Sequence, residues 1–333
     1  MNTKTSPTNI ITLLKGYEVC VASEGLNSKS IDITRRSIRY FETYLKEQEC
    51  STDIFDISHF HIRSYILYLQ QRQCFSTHPL NKPQDRGLSG HTINGYVRAI
   101  SIFYSWLIRE EIISDNPFSK IKIPPPPRKV IPAFTESQIS HLIAAIDTSK
   151  SCGYRNYVSI LTMLDTGLRV SELIGLRLSD ISIEDGIIKV LGKGNKERAI
   201  PMGKHVSRCL WHYITFHRAE PQMPKHHDLV FLTRNGRPVS RYAMGNIMVK
   251  LGKQAGIEGV RCSPHTLRHT AAISFLRNGG DVFSLQRLLG HSSLEMTRHY
   301  CQVADIDVKK AHMMASPVDN LDTRVRQTSR KIR

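Results

Sequence analysis

The 333-residue chain lacks several things, and each absence narrows what it can be. No stretch approaches the roughly 18 continuous apolar residues that a membrane span needs. The first residues, MNTKTSPTNIITLLKGYE, contain no basic segment followed by a long apolar run. No secretory leader is therefore expected, and the chain reads as cytoplasmic. The seven cysteines are scattered, odd in number and free of any C-x-x-C pair. Reduced thiols fit better than a disulfide framework or a zinc knuckle. No internal repeat is visible. Acidic side chains are scarce, 29 against 46 Lys and Arg, and none of them cluster as carboxylates able to hold a pair of Mg²⁺ ions.

What is present in excess is positive charge. The net is +17, and it is unevenly spread. Residues 1–125 carry 15 basic and 12 acidic side chains, while residues 126–333 carry 31 and 17. A strongly basic second half points to a polyanionic partner, nucleic acid first. The length suggests two domains. The joint is the run IKIPPPPRKVIPAF, whose four consecutive prolines cannot continue a helix and favour an extended spacer. The expected division is 1–123, a linker at 124–132, 133–320, and a disordered basic tail at 321–333.

Before the joint the apolar period is helical over 33–48, 57–72 and 89–111. In the third helix, His91, Thr92, Asn94 and Arg98 lie between apolar positions. They form either a solvated face or a row of contacts to phosphates and base edges. After the joint, Thr135 opens a helix with a capping-box pattern, a buried-looking helix ends at Gly167, and RVSELIGLRLSDI reads as another. The period then changes. Residues 186–202 read as two strands around the turn GKGNK, and DLVFLT as one more short strand. From Tyr242 onward the pattern is helix and turn. The class expected is mainly α with a small β-hairpin or sheet.

Four pieces carry chemistry. TGLRVSEL places Arg169 after a glycine turn and Glu172 three residues on. GKGNKER places Lys193 and Lys196 in a Gly-rich hairpin tip. SPHTLRHTAA puts His265, Arg268 and His269 at i, i+3 and i+4 on a helix opened by Ser263-Pro264. The two histidines have the spacing of a zinc H-E-x-x-H site, but Thr266 stands where its glutamate belongs. The fourth piece, GHSSLEMTRHY, sets His291 nine residues before Tyr300. In it Ser292 and Glu295 read as a capping box that leaves His291 outside a short helix and Tyr300 at its far end.

Together these pieces resemble the tyrosine recombinases, the phage integrase family that includes the Xer-type enzymes. The match covers Arg169 with Glu172, Lys193, the H-x-x-R box at His265 and Arg268, Leu289–His291 and Tyr300, in order, along about 130 residues. The resemblance implies a helical SAM-like core-binding domain followed by a catalytic domain. It implies a site-specific recombinase that cuts and rejoins double-stranded DNA through a 3′-phosphotyrosine, without cofactor or metal. Tyr300 would be the nucleophile, Arg169 and Arg268 the phosphate clamp, and Lys193 the acid for the leaving oxygen. His265 would assist proton transfer at Tyr300, His291 would hydrogen-bond the phosphate, and Glu172 would orient Arg169. Lys196 and Arg241 join the candidate DNA contacts. A homotetramer on DNA, accessory DNA-bending proteins and integration or excision of a mobile element also follow from the resemblance. A further expectation is that the chain has little room for an arm-binding domain. The alternatives are a non-cleaving DNA-binding protein of the same fold and a type IB topoisomerase-like enzyme.

The residue types suit this chemistry independently. Phosphodiester transfer builds negative charge on nonbridging oxygens, which preorganised guanidinium forks stabilise. A tyrosine hydroxyl has a reference pKa near 10, so it attacks well only beside cations or a base.

Overall fold

The computed structural model describes residues 7–74, 84–123, 132–192, 197–304, 312 and 316–318. The Lys193–Lys196 hairpin tip, the proline run and the basic tail lie outside the described residues. Two compact units emerge, Met1–Lys129 and Val130–Arg333. Among the described residues no helix is long and apolar enough to cross a membrane.

Among its described residues the first unit has four helices. α1 spans Ile10–Ser23, α2 Ser28–Glu47 and α3 His59–Gln71. After a short antiparallel pair, β1 (Gln73–Cys74) with β2 (Gln84–Gly87), comes α4, Gly90–Arg109. Asn9, Asn27 and Ser89 precede α1, α2 and α4. The side chain of each accepts a hydrogen bond from a first-turn N–H. α1 and the β pair were not anticipated, although Ile10, Leu14, Tyr17 and Val21 repeat at helical spacing and are buried. The core is aromatic. Tyr17 meets Trp106 edge-on at 5.5 Å and Phe103 at 5.7 Å, and Phe41 lies 4.9 Å from Tyr65.

The second unit begins with α5, Glu136–Ala144, capped reciprocally by Thr135 and Gln138. α6, Ser151–Thr166, is central and ends at Gly167, whose φ of 62° is the left-handed C-cap conformation. α7 is short, Val170–Ile174. The longer helix expected over RVSELIGLRLSDI stops at Gly175. The chain then goes extended before a 3₁₀ turn at Leu178–Asp180. β3 (Ile181–Ser182), β4 (Ile187–Leu191) and β5 (Glu197–Pro201) form one antiparallel sheet in that order. The sequence had suggested only the β4–β5 pair there.

α8 (Lys204–His212) continues into a single π turn at Tyr213–His217. DLVFLT is not a strand. It makes only isolated bridges, Arg177 with Leu229 and Leu232 with Pro238, while its apolar residues fill the core. α9 (Arg241–Gln254), α10 (Pro264–Arg277), α11 (Val282–Leu289) and α12 (Leu294–Ala304) follow among the described residues.

α10 is buried along most of its length and packs against α6 and α12. It therefore carries Arg268 and His269 into the interior, where Arg268 keeps 4% of its surface exposed.

Candidate active site

Three guanidinium groups converge on two helix ends. α6 ends at Gly167 and α11 at Leu289, so both present carbonyls without helical partners and the negative ends of their dipoles. Arg268 donates from Nη1 to the Gly167 carbonyl at 2.6 Å and from Nη2 to the Leu289 carbonyl at 2.8 Å. Arg198 donates from Nε to the Leu288 carbonyl at 3.2 Å, and Arg169 from Nη2 to the Gly290 carbonyl at 3.4 Å. Three successive carbonyls of one helix terminus thus each hold a different arginine.

Glu172 ties the layer together. Its Oε1 accepts from Arg169 Nη1 at 2.8 Å and Arg198 Nη1 at 3.1 Å. Its Oε2 accepts from the Arg169 backbone N–H at 2.8 Å and Arg198 Nη2 at 2.9 Å. Burial alone would push its carboxyl up, but the hydrogen bonds from Arg198 and Arg169 bring it below the usual range. Glu172 is therefore ionised, and one carboxylate faces three cations.

Arg268 bears the strain of that imbalance. Burial, then the neighbouring Arg169, pushes its pKa down to about 10. An anion arriving here relieves the repulsion, so the site is prepared for negative charge.

His291 is next to this layer. Its Nε2 lies 3.2 Å from Arg268 Nη2, and its Nδ1 lies 3.0 Å from Thr297 Oγ1. A guanidinium can only donate, so Nε2 accepts and the proton belongs on Nδ1, directed at Thr297. Burial and the charges of Arg268, Arg169 and Arg198 push His291 down to about 4.

Tyr300 is buried among Ala272, Ile273, Leu285 and Leu289. Its ring lies 6.0 Å from that of His291, nearly parallel, and 5.2 Å from that of His269. Burial raises its pKa, against the pull of Arg268 and Arg169. The hydroxyl is thus protonated at neutral pH in this state.

A cleft of about 470 Å³ is lined by Arg169, Arg241, His265, Arg268, His291 and Tyr300, among others. Part-burial and the charges of Arg268 and Arg261 hold His265 below the ordinary imidazole range. Arg241, at the start of α9, brings a further cation to the rim. The cleft thus combines several donors, two histidines and one phenol. That combination can bind a phosphodiester and offer it an oxygen nucleophile.

The structure brings together Arg169, Glu172, Arg241, His265, Arg268, His291 and Tyr300. Lys193 and Lys196 fall outside the described residues. In the first unit, His91 and Arg98 are exposed and Thr92 is half-buried. Asn94 keeps only 8% exposure, so it faces the interior and does not belong to an exposed contact row. The capping reading of GHSSLEMTRHY also changes. α12 starts at Leu294, so Ser293 precedes it, and the Ser292 hydroxyl lies 3.9 Å from Met296 Sδ. Tyr300 lies inside the helix, three residues beyond Thr297, so the two share an inward face.

Two contributors escaped the sequence reading, Arg198 and Thr297. Arg198 had one available signal. It sits two residues before the buried Ile200 on β5, the register that faces the core. Thr297 had only its i−3 spacing from Tyr300.

The profile of the phage integrase family matches residues 132–306, and that of a phage integrase SAM-like domain matches residues 13–123. Among curated proteins, the chain is 29% identical to tyrosine recombinase XerD of Listeria monocytogenes over 89% of this chain and 95% of that one. It is 32% identical to tyrosine recombinase XerD of Halalkalibacterium halodurans over 72% and 80%. Among solved structures it is similar to the Tn1549 transposon integrase in complex with transposon right end DNA. The TM-score is 0.72 at 22% identity, covering 92% of this chain and 99% of that one.

Proposed function

This chain belongs to the phage integrase family, and on that premise we propose that it is a tyrosine-type site-specific DNA recombinase, cutting and rejoining duplex DNA at defined sites. The observation that carries the reading is the single cleft shared by Arg169, Arg268, His265, His291 and Tyr300.

In the proposed cleavage step, Tyr300 attacks the scissile phosphorus. Its phenolic oxygen forms a bond to phosphorus as the bond to the 5′-oxygen breaks. The products are a 3′-phosphotyrosine and a free 5′-hydroxyl. Arg169 and Arg268 stabilise the charge that gathers on the nonbridging oxygens. His265 takes the phenolic proton; its depressed pKa leaves it neutral and able to accept. Lys193, which falls between β4 and β5 in the sequence, gives a proton to the leaving 5′-oxygen. The phosphate also changes His291. Its negative charge offsets the arginines that depress this imidazole, so His291 can hold a second proton and donate it to a phosphate oxygen. The phosphotyrosine conserves the bond energy, so religation by a 5′-hydroxyl, from the same strand or a partner strand, needs no nucleotide cofactor.

The exposed His91 and Arg98 on α4, half-buried Thr92, and Lys196 and Arg241 in the second unit are proposed DNA contacts. A homotetramer on paired sites, with DNA-bending accessory proteins, is the proposed assembly. Integration or excision of a mobile element is the proposed setting.

The test is covalent trapping. The protein is mixed with a pool of random-sequence duplexes, denatured in detergent, and the retained DNA is sequenced. The expected result is an adduct enriched for one sequence and absent with Tyr300→Phe. Equal, purely non-covalent retention by both proteins contradicts the enzyme reading. Relaxation of plasmid DNA without sequence preference favours a topoisomerase instead.

A further inference from the structure

Arg198 has no role in the chemistry above, yet its placement is costly and specific. Its side chain is 13% exposed and forks onto Glu172, which is 8% exposed. The fork is bidentate, the strongest geometry for a carboxylate pair. Its third donor, Nε, reaches the Leu288 carbonyl one residue before the carbonyl that holds Arg268. Gly290 makes room for it. A Cβ at that position would fall 2.9 Å from Arg198 Nη1. A buried fork of this quality on a strand only five residues beyond Lys193 links three parts of the site.

We propose that Arg198 is a positioning residue for DNA cleavage. Through Glu172 it sets the orientation and the effective charge of Arg169, and through the Leu288 carbonyl it fixes β5 to the end of α11. The inference rests on the recombinase reading above.

The physical reason is charge balance. Glu172 carries one negative charge, which Arg198 and Arg169 share through four hydrogen bonds. With Arg198 present, Arg169 is only partly neutralised and retains a strong pull on an incoming phosphate. Without Arg198, the buried carboxylate has Arg169 as its main partner. It then neutralises Arg169 and draws it from the cleft. The second effect is mechanical. Arg198 ties β5 to the end of α11 through the Leu288 carbonyl.

A merely structural role predicts something different, and the substrate separates the two. Arg198→Gln, Arg198→Lys and Glu172→Gln are compared with wild type for DNA retention, thermal melting and single-turnover cleavage. Cleavage is measured on an ordinary duplex and on one whose scissile phosphate is a methylphosphonate. Replacing one nonbridging oxygen by methyl removes the charge that Arg169 stabilises. On the ordinary duplex, Arg198→Gln is expected to slow cleavage by up to about a hundredfold, as for a misplaced catalytic group. Its DNA retention stays close to wild type. On the methylphosphonate duplex the defect shrinks to a few-fold. Arg198→Lys keeps the charge but not the fork, and falls between the two. Should Arg198→Gln fail to fold, Arg198→Lys and Glu172→Gln carry the same comparison.

Wild-type cleavage speed in these variants overturns the proposal. So does a defect equally large on both substrates, which assigns Arg198 to stability alone. If wild-type protein forms no adduct at all, the recombinase reading falls and takes this proposal with it.

Discussion

The two units bury different things. The first fills its interior with Tyr17, Phe41, Tyr65, Phe103, Tyr104 and Trp106, and its ion pairs, such as Arg109 with Glu24, stay at the surface. The second takes Arg268 and the Glu172–Arg198 pair out of water beside two helix ends. Aromatic burial stabilises by area, although here the Tyr65 and Tyr104 hydroxyls and the Trp106 indole N–H are buried without a partner among the described residues. Buried cations do the opposite, since desolvation weakens the fold unless partners compensate. A protein that bears this penalty in one unit and avoids it in the other separates folding from chemistry. The first unit keeps ion pairs such as Arg109–Glu24 at the surface, and the second holds buried charge ready for an anion.

The largest effects should come from deleting one residue of each kind. Phe103→Ala empties a fully buried aromatic site and should cost about 3–5 kcal/mol, read as a drop in melting of the first unit. Arg268→Met removes a strained cation while keeping much of its volume. Cleavage should fall by about 10²–10³, as when one preorganised donor is lost; relief of the buried charge offsets the loss of a donor to the Gly167 and Leu289 carbonyls, so melting should fall less than in Phe103→Ala. If Arg268→Met melts out as badly as Phe103→Ala, the contrast between the units is wrong.

A smaller effect is expected at Gly290. Its φ of 62° and the Arg198 guanidinium both oppose a side chain. Gly290→Ala should cost about 1–2 kcal/mol in backbone strain alone, measured by denaturant unfolding, and should slow cleavage by shifting Arg198. Wild-type stability with normal cleavage would mean that the loop has slack.

His291 links chemistry to pH. Folding lowers its pKa from 6.5 to about 4, so between those values the unfolded chain holds a proton that the folded chain lacks. Stability should therefore rise as pH climbs through that window and fall as pH drops. His291→Gln should flatten the melting profile between these limits. An unchanged profile would remove His291 from the charged layer.

The smallest effect concerns α4. Arg98→Ala should lower the salt dependence of DNA binding by about 0.9 in log–log slope, the loss of one phosphate contact. Asn94→Ala should leave that slope unchanged and lower stability instead, because Asn94 is buried.

These cases mark how far the sequence was legible. Arg169, His265, Arg268, His291 and Tyr300 could be found because phosphate chemistry restricts residue type and the motifs fix their order. Most helices could be found because their apolar periods and caps are local. Arg198 was hidden because a charged residue after a lysine-rich turn looks solvated until the register of β5 is known. Asn94 was misjudged for the converse reason, being polar but inward. DLVFLT looked like a strand because apolar β-branched residues also suit a buried connection, and no neighbouring strand pairs with it beyond single bridges. The end of GHSSLEMTRHY depended on which of two serines precedes the helix, a one-residue distinction that local pattern does not decide.

The central claim is that the second unit's cations are arranged around a phosphodiester attacked by Tyr300. It is tested most directly by trapping the protein on its selected duplex, digesting protein and DNA, and locating the modified peptide by mass spectrometry. The account predicts a nucleotide phosphate attached to Tyr300 and to no other residue. A covalent nucleotide on a different side chain, or strand cleavage with none, would contradict it.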